Sequence, residues 1–175
     1  MRSLAVIVFV VIASPCLARA QALRAEPNRG ITFELSGGGV TMIGSNDGAF
    51  ANGIAGPNFA VGNFIRNDLA LSIRMPGVIG LHNETAYLGI LGPDVQYWPT
   101  PSMFLGLGAG VAIGCDGCGG YMSSLQWGLD ARAGVTFLRT PNRTGTLSLQ
   151  VLSVNDNEGP PSLTSLSFLI GVQTF

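Results

Sequence analysis

Three groups of side chains in this sequence could carry chemistry. Cys115 and Cys118 stand in CDGC, a spacing that suits a thiol–disulfide redox pair, half of a metal site, or a disulfide pinning a tight loop. No second C-x-x-C and no nearby histidine complete a metal site, and no βαβ setting supports a redox role, so a structural disulfide is expected. His82, the only histidine, lies in GLHNET. A lipid hydrolase would need a partner such as His-x-Ser at strand spacing. None accompanies it, and a solvated loop residue is expected. The third group is ionic: Asp130 and Arg132, two residues apart in SLQWGLDARAGVTF (124–137), with Glu34, Arg74 and Asp94 elsewhere.

The ionic group is informative because of what surrounds it. From Leu125 to Phe137 every odd position is apolar, while the even ones are polar or glycine. Period-two alternation of this kind is a strand signature. It recurs in DLALSIRM (68–75), MFLGLGAGVAIG (103–114), TLSLQVLSV (146–154) and TSLSFLIGV (164–172). ITFELS (31–36) and PNFAVGNFI (57–65) show it less cleanly, the latter with Asn63 on its apolar face. In TAYLGILGPDVQYW (85–98), Leu88 and Ile90 fall on the polar side and Pro93 interrupts the run. Eight strands result. Gly106, Gly108, Gly110 and Gly114 lie mid-strand at period two with no helix following, so they read as lumen space beside bulky neighbours such as Phe104, not as a nucleotide loop.

The connections fall into two classes. Those at 66–68, 98–102 and 139–145 are short, while those at 44–56, 76–84, 115–120 and 155–163 are mostly longer and rich in turn residues. Short turns on one side and longer loops on the other are the layout of a transmembrane barrel. The predicted fold is all-β, an eight-stranded antiparallel up-and-down transmembrane β-barrel, with both chain ends on the short-turn side.

Composition decides which face is wet. Charged residues make up 11% of the chain, and lysine is absent. A solvated exterior normally carries about 25–35% charged residues. The bulky Leu, Trp, Phe and Val share one face; the other is Gly, Ser and Ala with a few charges. An eight-stranded barrel has an interior only wide enough to be filled by side chains, so small and polar residues belong inside and bulky ones against lipid. Glu34, Arg74, Asp94, Asp130 and Arg132 share the inward parity and are expected to form a lumen polar network. Tyr97, Trp98 and Phe137 would form an aromatic girdle at the short-turn interface. A net charge of −1 without a basic cluster excludes nucleic acid as a partner class.

Residues 1–20 have the n-region, short apolar run and small-residue site of a secretory signal peptide, cleaved after Ala20 or Ala22. A short periplasmic lead (21–30) and the barrel (31–175) follow. Export favours the oxidised state of Cys115 and Cys118.

Taken together, the signal peptide, VGNFIRNDLALSIRM, YWPTPSMFLGLGAGV and the terminal Phe175 resemble the small outer-membrane β-barrel proteins of Gram-negative bacteria, the broad family with an outer membrane protein beta-barrel domain. The resemblance implies location in the outer membrane, contact with its lipid, and insertion by the barrel-assembly machinery, with Phe175 as the assembly signal. Phe175 is out of parity with Leu166, Phe168, Ile170 and Val172, and a bulge near Gly171 would restore it. The expected function is a structural or surface-interaction barrel with a filled, polar and glycine-rich lumen, no catalysis, no cofactor and an unspecified surface partner. The alternatives are a narrow porin-like channel and a soluble secreted ligand-binding barrel.

Overall fold

The computed structural model describes residues 30–44, 50–82, 84–116, 120–121, 126–155 and 163–175. The signal segment, most of the lead and Cys118 lie outside the described residues. Eight strands follow one another: β1 (Gly30–Gly44), β2 (Phe50–Arg66), β3 (Leu69–Met75, continued after Pro76 as Gly77–His82), β4 (Glu84–Thr100), β5 (Met103–Asp116), β6 (Gln126–Thr140), β7 (Arg143–Asn155) and β8 (Leu163–Thr174). Gly120–Tyr121 adds a short rung on the end of β5.

Each strand pairs antiparallel with its sequence neighbours. β1 pairs with β8 from Glu34↔Gln173 to Gly44↔Leu163, which closes the cylinder and leaves no free edge. The short turns are tighter than expected, centred on 67–68, 101–102 and 141–142. On the opposite side the strands run further than the alternation indicates. β2 begins within the expected 44–56 loop, and most of 76–84 is strand. His82, expected in a loop, instead ends β3 in register with Glu84. Cys115 lies within β5, paired with Tyr87. The hairpins rise past the level where the outside is uniformly apolar, so the pattern fades there before the pairing does.

Pro93 does not break β4. It sits opposite Ile73 of β3, and the pairing with β5 lapses only between Leu91 and Asp94, with the register unchanged on either side. Register shifts occur beside each short turn, and one lies within the wall and changes the phase there. Ser36 pairs with Asn58 but Gly38 with Ala55, so Gly56 and Pro57 form a bulge on β2. Gly56 takes φ of 120°, open to glycine and strained for other residues. Across this bulge the buried parity of β2 changes from Asn58 and Ala60 to Ala55.

The barrel is apolar outside. Phe33, Phe59, Leu71, Val95, Leu105, Trp127, Leu149 and Phe168, one from each strand, are all exposed, between 42% and 55%. The charged side chains are sorted with equal consistency. Glu34, Arg74, Asp94, Asp130 and Arg132 are buried. Among the described residues the remaining charges stand at strand ends or in turns: Arg66, Asp68, Arg139 and Arg143 at the short-turn rim, Glu84 and Asp116 at the loop end.

Candidate functional site

The lumen is where this sequence concentrates its chemistry, and strand register determines which side chains meet there. Gly108 of β5 stands opposite Asp94 of β4 and Asp130 of β6, and Gly106 stands opposite Gln96 and Arg132. Inward-facing glycines on β5 leave room for the long side chains of its neighbours. A Cβ at Gly106 would overlap the Arg132 side chain, and one at Gly134 would overlap the Phe104 ring.

The structure brings all five charged residues together. Arg132 contacts Glu34 through Nη1 and donates from Nη2 to Asp94 Oδ2 at 3.0 Å. Arg74 donates from Nη1 to Glu34 Oε1 at 3.0 Å, and its Nε lies 3.1 Å from Asp130 Oδ2. Glu34 thus bridges two guanidiniums, and each guanidinium bridges two carboxylates. Neutral side chains extend the cluster. Gln150 donates to Asp130 at 2.6 Å, Asn58 to Gln150 at 3.3 Å, and Ser72 to Asp94 at 3.1 Å. Asn58 also accepts from the Gly77 N–H at 2.7 Å, just past the Pro76 interruption. One layer nearer the short turns, Gln173 donates to Gln96 at 2.9 Å and to Thr32 at 3.0 Å.

Every strand except β5 contributes a polar side chain, and β5 contributes the space. Asn58, Gln96, Gln150 and Gln173 were missed by a reading that looked only for charge, although their parity is that of Glu34 and Asp130. Burying ions costs several kcal/mol each, offset only when partners are well placed. Here each ion has at least one such partner.

Apolar layers lie on both sides of this cluster, which corrects the expectation of a lumen filled by polar residues and glycine. At the short-turn end Phe64, Ala70, Trp98 and Phe104 pack together with Phe175 against them. Trp98 lies 5.2 Å from Phe104 and 6.0 Å from Phe175, centroid to centroid, in tilted and edge-on geometries. Trp98 is therefore a plug residue inside the lumen, 4% exposed, and not part of a girdle, whereas Tyr97 does face outward. Phe137 is only half-buried and its ring covers Gly145. At the loop end Val40, Met42, Val78, Leu88, Ile90, Leu152, Val154 and Leu169 form a second apolar cluster. Leu88 and Ile90 thus lie inward, as parity requires, because that level of the lumen is apolar.

Phe175 also keeps strict parity. The β1–β8 and β7–β8 registers run without a shift, so no bulge forms near Gly171, and Gln173 and Phe175 both turn inward. The Phe175 ring sits 5.8 Å from Phe64 and under the Arg139 guanidinium at 5.1 Å. The chemistry of the cluster is that of a cross-brace, five charged side chains from four strands held to one another. Among the described residues no group of three His, Cys, Asp or Glu side chains is arranged to hold a metal ion. The CDGC pair cannot be completed, since Cys118 lies outside the described residues.

No protein-family model matches this chain, and no curated protein matches it by sequence. Solved structures do match it in fold. The crystal structure of Neisserial surface protein A (NspA) superposes with a TM-score of 0.65 at 19% identity, covering 83% of this chain and 96% of that one. The structure of Ail, the attachment invasion locus protein of Yersinia pestis, gives a TM-score of 0.53 at 14% identity, covering 84% and 99%. The shared feature is the closed eight-stranded barrel.

Proposed function

We propose that this chain is an outer-membrane β-barrel of a Gram-negative bacterium with a structural or surface-interaction role, presented at its loop end, and without catalysis. The observation that carries this reading is the inverted polarity of the barrel: bulky apolar side chains outside on every strand, and the buried ions inside. In water that exterior would leave a contiguous apolar surface far larger than the few hundred Å² monomeric proteins expose. In lipid it is the favourable arrangement, and barrel closure satisfies the backbone. The fold likeness to a Neisserial surface protein and to an attachment invasion locus protein supports placing the role at the cell surface. Contact with outer-membrane lipid and insertion by the barrel-assembly machinery belong to the same reading.

Fractionation of cells expressing the full chain tests it, with gel migration of unheated and heated samples. Recovery with the outer membrane, and a compact band converted to a slower one by heating, are expected. Recovery in the soluble periplasm would overturn the reading and favour a soluble ligand-binding barrel.

The stacked layers also bear on the channel alternative. The ionic layer lies between two apolar clusters, which favours a closed lumen over a narrow channel. Reconstituted into a planar bilayer, the protein is expected to leave the conductance at baseline. Unitary steps of reproducible size would revive the narrow channel.

A further inference from the structure

We infer that Phe175 is a releasable stopper at the short-turn end of the lumen, which swings aside to admit water as far as the Gln96–Gln173 pair while the loop end stays sealed. Strand parity sets the aromatic plug directly on that polar layer. Trp98 lies two residues beyond Gln96 on the inner face of β4, and Phe175 two residues beyond Gln173 on that of β8. The two buried carboxamides hold each other, Gln173 donating to Gln96 at 2.9 Å and Gln96 to Gln173 at 3.2 Å. The Trp98 and Phe175 rings, 6.0 Å apart, stand between this pair and the short-turn mouth.

Of the rings in this plug, Phe175 is the one that can leave without opening the sheet. Phe64 pairs with Gly30 and Ala70, and Phe104 with Gly134. The Trp98 N–H donates to the Asp68 carbonyl at 2.8 Å. The ladder of β8 ends one residue before Phe175, at Thr174↔Arg143. On the other side the Phe33 N–H of β1 is taken by the Thr174 hydroxyl at 3.1 Å. Phe175 itself donates to the Asn142 carbonyl at 3.2 Å, and its half-buried ring is clasped from the rim. The Arg139 guanidinium lies over that ring at 5.1 Å and donates from Nη1 to the Pro101 carbonyl at 2.7 Å. Swinging the ring out breaks these side-chain contacts and no ladder pair, the kind of local opening that costs far less than unfolding.

Two observations make the opening one-sided and give it a use for water. The loop-end cluster is built from residues inside paired strands, among them Val40, Leu152 and Leu169, so nothing there can swing free in the same way. Behind the stopper, the Trp98 Nε1 donor is buried with no acceptor. An orphaned buried N–H is costly, and an entering water satisfies it before reaching the carboxamides below.

Hydrogen exchange of the Trp98 indole N–H tests it, followed by NMR on the full-length mature chain in lipid nanodiscs after transfer to D2O. The chain has two tryptophans, and Trp127→Phe assigns the signals. In wild type the Trp98 indole should exchange faster than the ladder amides of β4 and β5. Phe175→Ala should speed it several-fold with those amides unchanged. Arg139→Gln, which removes the clasp and keeps the terminal ring, should speed it as well, and it carries the test if Phe175→Ala fails to give the compact gel band. Arg66→Gln, at the same rim but away from the stopper, should have no effect. Leu169→Ala, which thins the loop-end cluster, should leave the indole rate unchanged while the ladder amides stay protected; a faster indole there would overturn the one-sided opening. Indole exchange as slow as the ladder amides in wild type, or unmoved by both Phe175→Ala and Arg139→Gln in folded barrels, would overturn the stopper. Neither result would touch the reading of the chain as an outer-membrane barrel.

Discussion

Arg132→Leu is expected to lower the temperature at which the compact gel band converts to the unfolded one, by the equivalent of roughly 3–5 kcal/mol. The leucine fits the lumen in volume, so the loss is electrostatic. Glu34 and Asp94, both buried, each lose a guanidinium, and Asp94 keeps only the Ser72 hydroxyl among its ionic and hydrogen-bonding contacts. The Phe104 ring also loses the cation 5.5 Å above it. A double-variant cycle separates pairing from packing. Combined with Glu34→Gln, the Arg132→Leu penalty should shrink, because one of the stranded carboxylates is no longer charged. An unchanged conversion temperature for Arg132→Leu alone would mean that the cluster contributes nothing to stability.

Phe104→Ala is expected to cost about 3–5 kcal/mol, the usual range for deleting a buried aromatic ring. Phe104 is 1% exposed, stacks against Trp98 and lies across the bare backbone of Gly134. Because no side chain projects from Gly134, the cavity left by the ring has nothing nearby to collapse into it. Thermal conversion of the gel band measures the loss. Conductance should stay at baseline even so, since Leu152, Leu169 and their neighbours still close the loop end. A stability change below 1 kcal/mol would show that the plug is loosely packed.

Much of this was legible in the sequence, because a strand's period of two is independent of what the side chains are. Parity alone places Glu34, Arg74, Asp94, Asp130 and Arg132 on one face, and the structure shows them in contact. The same parity places Leu88, Ile90, Trp98 and Phe175 on that inner face. At Trp98 the expected interfacial girdle points the other way, and at Phe175 the terminal aromatic signal that the resemblance implies does so. Inside a barrel eight strands wide, the ends of the lumen are themselves apolar cores, so an apolar residue has two favourable destinations. Only register tells them apart. The phase change at Gly56–Pro57 was not legible, since Gly56 falls in the expected 44–56 loop and the place of a bulge depends on how β1 and β2 face each other.

The sorting of charge along the axis also governs how the barrel meets enzymes that cut beside basic residues. Beyond Gly30 the chain has no lysine, and its arginines are 66, 74, 132, 139 and 143. Two of them are sealed in the lumen and three stand at the short-turn rim, while the segments joining the strands at the loop end carry neither basic residue. A trypsin-like protease approaching from the loop side therefore finds no bond to cleave, and the same protease on the other side finds three arginines at the rim. The barrel carries its orientation as a one-sided pattern of cleavable bonds.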